Sequence, residues 1–127
     1  MDAVVAGLMI LMGAGIAGVW TADIVKGDKV DLSNGVFRAR EDGGSLLWPH
    51  WVAEYATALL LVVAGIAVLA DTSWSPVLAG FALGALFYTS VNSLGWVLAD
   101  RERSAYGVPM VAGIVVSSVG FIWLLVR

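Results

Sequence analysis

Four long apolar runs, at residues 3–25, 46–70, 76–99 and 106–126, take up most of the chain, and three polar breaks separate them. Each run exceeds the ~18 residues that mark a transmembrane helix, and ~20 residues at 1.5 Å rise cross ~30 Å of hydrocarbon. The pattern predicts an all-α polytopic membrane protein: an up-and-down bundle of four transmembrane helices, forming one domain over 1–127, with a polar loop at 26–45. The second break, Asp71-Thr72-Ser73-Trp74-Ser75-Pro76, reads as a tight turn with an interfacial tryptophan and a proline suited to a helix start. The third, at 100–105, is equally short. Short links make consecutive helices antiparallel neighbours. In the longer first break, Asn34-Gly35 stands between two partly alternating stretches, a hairpin signal that competes with an irregular polar loop. Gly43-Gly44-Ser45 then supplies a flexible break and an N-cap.

Composition sharpens this reading by exclusion. The chain is 60% hydrophobic and 13% charged, whereas soluble domains average roughly 45–50% and about 25%. An ordinary soluble domain is excluded. Without cysteine there are no disulfides and no thiolate metal sites. No basic stripe points to nucleic acid. Met1-Asp2-Ala3 lacks the positive region of a cleavable signal, so the first helix is expected to be retained.

The placement of charge tells more than its net value of −3. Lys26, Lys29, Arg38 and Arg40 lie in the first break, Arg101 and Arg103 in the third, and Arg127 is the exception. Positive residues favour the cytoplasmic side. Both termini are therefore expected outside and the loops 26–45 and 100–105 inside, in the cytoplasmic membrane of a prokaryote.

Candidate chemistry centres on Glu54, the one acid of the second run, with His50 one helical turn before it. A carboxyl within a span is expensive unless paired or hydrated, which makes it a functional candidate. Counting from the cytoplasmic boundary at ~1.5 Å per residue puts His50 ~6 Å deep and Glu54 ~12 Å deep; on the antiparallel third helix, Asn92 is ~11 Å deep and Tyr88 ~17 Å deep. The match in depth predicts a polar, cytoplasm-facing pocket lined by His50, Glu54, Tyr88 and Asn92, with Asp23, Thr57 and Ser93 as lesser candidates. Carboxyl and imidazole side by side make proton exchange near neutrality chemically reasonable. The plainer alternative is that these polar groups only hold helices together, at ~0.6 kcal/mol each.

The function expected is binding or transport of a small polar solute, proton-linked through Glu54; the alternative is a non-catalytic accessory subunit of a larger membrane complex. No nucleophile or cofactor motif accompanies the His–Glu pair, so neither an enzyme nor a cofactor is expected. A closed zinc site needs four ligands, and His50 is the only histidine, so no metal is expected. Gly7, Gly13, Gly15 and Gly18, the Gly80–Gly84 GxxxG spacing, and Gly113 with Ser117 offer small-residue faces for packing within the bundle or between copies. Trp20, Trp48, Trp51, Trp96 and Trp123 near the helix ends are read as an interfacial belt.

Overall fold

A computed structural model describes residues 1–26, 30–31, 38–39, 48–99 and 106–126. Apart from a minimal ladder, the regular elements among the described residues are helices: α1 at Asp2–Lys26, α2 at Trp48–Leu69, α3 at Ser75–Ala99 and α4 at Gly107–Val126. All four helices are long and apolar enough to cross a membrane. In the first loop, β1 at Val30–Asp31 pairs antiparallel with β2 at Arg38–Ala39, in the register Val30↔Ala39 and Asp31↔Arg38. This pairing goes with the hairpin reading, although Asn34 and Gly35 themselves lie outside the described residues.

α1 packs mainly on α2, α2 on α3, and α3 on α4, and the short second and third connections make α2, α3 and α4 successive antiparallel neighbours. The link from α2 to α3 shows how tightly the chain turns. Asp71 takes a left-handed φ of 48°, the Thr72 N–H bonds to the Ala67 carbonyl, and the Asp71 N–H bonds to that of Val68. That is a Schellman closure with Asp where Gly is usual. Pro76 then sits in the first turn of α3, where its missing N–H breaks no helical bond.

Met9, Leu61, Leu83 and Leu86 are fully buried at the centre of the bundle. The outer surface is also apolar, with Leu59, Phe81, Leu98 and Leu125 exposed, as expected for helices solvated by lipid tails. Polar groups inside the spans are largely satisfied locally. The Ser117 hydroxyl donates to the Gly113 carbonyl at 2.7 Å, and Thr89 to that of Leu86 at 3.3 Å.

Close approach falls on part of the predicted glycine set, Gly13 and Gly113, and on two glycines outside it, Gly65 and Gly120. A Cβ on Gly13 would stand 2.6 Å from the Ala58 carbonyl oxygen, and one on Gly65 would stand 2.9 Å from that of Ala6. These two positions join α1 to α2 from opposite sides. On α4, Gly113 lies against the Ser90 side chain and Gly120 against that of Leu83, so side chains of α3 fill the space that both glycines leave. Gly7, Gly15 and Gly18 face open space, and Gly80 and Gly84 meet only side-chain atoms at 3.9 Å. The belt reading is corrected for two of the tryptophans: Trp51 and Trp123 lie near helix ends but face into the bundle, where both are buried.

At one end α1 and α4 are tied together. The Trp123 indole N–H donates to Oδ1 of Asp2 at 2.8 Å. Elsewhere these two helices touch lightly, which leaves one side of the bundle open.

Candidate functional site

Glu54 is 2% exposed, although it carries a carboxyl group. It lies two turns into α2, and the helix turns it towards α1 and α3. The Ser93 hydroxyl of α3 donates to Oε1 of Glu54 at 3.3 Å, and the Trp20 indole of α1 is a second hydrogen-bonding partner. Nε2 of His50 stands 3.8 Å from the same Oε1, an ion-pair separation for an imidazolium but too long for a direct hydrogen bond. His50 is held in turn by Trp20, whose ring meets the imidazole edge-on with centroids 5.1 Å apart. One turn further along α2, the buried Thr57 shares the inward face. On the other flank, Thr21 and Tyr55 tie α1 to α2 through a 2.8 Å hydroxyl pair.

The carboxyl borders a cavity of about 200 Å³. α1 forms one wall with Met12, Ile16 and Trp20; Pro109 and Met110 of α4, with Tyr106 just before it, form the other; Leu86, Thr89 and Ser90 of α3 make the floor. Several rim residues, among them Leu11, Val19 and Ala112, are exposed, so the mouth opens sideways between α1 and α4. The walls are almost entirely apolar, and Glu54 supplies the cavity's carboxyl. Among the described residues, no three His, Cys, Asp or Glu side chains gather in a metal-binding cluster.

The predicted constellation is therefore only partly brought together. His50, Glu54 and Ser93 converge, and Thr57 is buried one turn further along α2. Tyr88 and Asn92 do not: both are exposed on the outer face of α3, with Tyr88 at 71%. Depth matching fixed their height along the helix but not their direction. Adjacent residues differ by ~100° of azimuth in a 3.6-residue turn, so with Ser93 aimed at Glu54 its neighbour Asn92 must point away. The side chain of Asp23 lies outside the described residues. The sequence reading missed Trp20, which it had placed in a belt, and the wall residues of α4. The buried series Leu86, Ser90, Ser93 and Val97 follows i, i+4, i+7, i+11 and carried the inward face of α3.

Fold and site together define a small four-helix bundle of membrane-spanning length, with a buried acid beside an apolar lateral cavity. Over residues 1–127 the chain matches the family described as "Domain of unknown function (DUF8058)", and it belongs to that family. No curated protein and no solved structure matches it.

Proposed function

We propose that this protein binds a small lipophilic cation, which enters from the membrane between α1 and α4 and sets its positive group against Glu54. The observation that carries this reading is the juxtaposition of one buried carboxyl with an otherwise apolar cavity of about 200 Å³. A cavity of ~150 Å³ lined by apolar side chains holds benzene, so the volume suits one ring or a short alkyl chain with a polar head. The donors around Glu54 favour the same ligand. Ser93 and Trp20 hold the carboxyl as an acceptor, and a carboxylate has about four lone-pair positions to fill. An ammonium group could take the remainder. A polar solute without an apolar body fits these walls less well, so the ligand proposed departs from the small polar solute expected from sequence.

Positive-inside charge bias would place the cavity in the cytoplasmic half of the membrane, with both termini outside. His50, within ion-pair range of Glu54, would link occupancy to protons, since a cation and a proton compete for the same carboxyl.

Binding of n-hexylamine, with n-hexanol as neutral control, to the protein in lipid nanodiscs tests the reading. Trp20 lines the cavity, and the difference between the protein and Trp20→Phe isolates its share of the fluorescence of the six tryptophans as the report of occupancy. Saturable hexylamine binding is expected, weaker by tenfold or more in Glu54→Gln, since ~1.4 kcal/mol per decade is readily lost with one charge pair. Hexylamine affinity is also expected to fall with pH, because a protonated carboxyl offers the ammonium no charge, and to do so only while Glu54 is present. Equal binding of amine and alcohol to both proteins would sink the proposal.

A further inference from the structure

The outer face of α3 presents the two polar side chains that the Glu54 site does not use. Tyr88 and Asn92 are one turn apart, both are exposed, and neither has a hydrogen-bond partner among the described residues. They belong to a continuous exposed stripe with Phe81, Val91, Gly95 and Leu98. Position along the helix makes this unusual. α3 is 25 residues long, or ~37 Å, against a hydrocarbon layer of ~30 Å. Asn92 stands seven residues from the end at Ala99, so it lies ~7 Å inside the apolar layer, and Tyr88 lies ~13 Å inside. At that depth no water and no lipid headgroup is at hand to meet an amide or a phenol, and unmet polar groups in hydrocarbon are costly.

We propose that this face of α3 is the interface of a homodimer, with Asn92 of one copy hydrogen-bonded to Asn92 of the other. Three features select a second copy as the occupant. The side-chain amide is donor and acceptor at once, so it is complementary to itself across a two-fold axis. Copies inserted in the same orientation carry Asn92 at the same depth, so the pairing needs no further fitting. The face from Val77 to Leu98 bears no charge, hence nothing on it selects an acidic or basic partner. Gly95, one turn from Asn92, has nothing within 4 Å of where its Cβ would be, and this leaves room for a second helix to approach closely. The interface lies away from the cavity mouth between α1 and α4, so dimerisation and ligand entry are independent.

The chain has no cysteine, so Tyr88→Cys, one turn from Asn92 on the same face and exposed, gives a single reporter there. Oxidation in membranes is expected to yield a disulfide dimer at twice the 13.3 kDa chain mass. A cysteine at Val115, exposed on α4, is expected to give at least tenfold less. In a cysteine-free background, single-molecule photobleaching in liposomes is expected to show two-step traces. These should revert to single steps in Asn92→Val, and also in Gly95→Leu, which the isolated bundle accommodates but a close dimer does not. Monomers in the unsubstituted protein, equal cross-linking at Tyr88 and Val115, or a cross-link from Tyr88→Cys to a different protein would each overturn the proposal. Should Asn92→Val fail to fold, the cysteine comparison decides by itself.

Discussion

A single step along α3 separates a residue that serves Glu54 from one that faces lipid. Ser93 donates to the buried carboxyl, whereas Asn92, next in the chain, points outward. Asn is the stronger hydrogen-bonding group, and chemistry alone favours it as the partner. Helix azimuth decides otherwise. The two substitutions should therefore separate cleanly. Ser93→Ala is expected to weaken hexylamine binding about fivefold, from the ~1 kcal/mol that a hydrogen bond contributes. Asn92→Ala is expected to leave affinity within twofold, as read by the same Trp20 fluorescence titration. Equal effects at both positions would mean that α3 is rotated from the orientation described. Glu54 and His50 were legible in the sequence because ionisable groups within an apolar run stand out, and their i, i+4 spacing puts them on one face whatever the tertiary arrangement.

Among the helices, closeness of packing is set by particular glycines. Gly13 and Gly65 each bring a backbone carbonyl of the partner helix to within 3 Å of a would-be Cβ, and Gly18 meets nothing. Gly65→Leu is expected to destabilise the bundle by at least ~2 kcal/mol, because the oxygen of Ala6 cannot yield as a side chain can. Gly18→Ala is expected to be neutral or to stabilise by ~0.5–1 kcal/mol, through the entropy that a helical glycine forfeits on folding. Thermal denaturation followed by retention on a sizing column measures both. The helix boundaries needed no such detail. They were readable to within two residues, since length and apolarity fix where a chain enters and leaves a membrane. Which glycines pack could not be read, because the first run contains more small residues than one interface uses.

For the molecule as a whole, the decisive feature is the unequal closure between α1 and α4. Trp123 and Asp2 fasten the two helices near the N-terminus of α1, and the cavity parts them further along. Asp2→Ala is expected to lower stability by ~1 kcal/mol, because it leaves the indole N–H of a buried ring without this acceptor; Asp2→Asn keeps an acceptor and most of that stability. Melting curves of the two variants give the check, and identical losses would show that charge, not the hydrogen bond, matters there. The sequence by itself determined four helices of membrane-spanning length, their antiparallel order, and an acid buried in the second. Periodicity, length and the cost of charge in hydrocarbon are properties of local sequence. Only the tertiary structure decided which faces meet. It turned Ser93 inward and Asn92 outward, moved Trp20 and Trp123 from an assumed rim into specific contacts, and opened an apolar cavity beside Glu54. Rotation about a helix axis depends on how neighbouring surfaces interlock, and where every surface is apolar the pattern of one chain leaves that rotation unspecified.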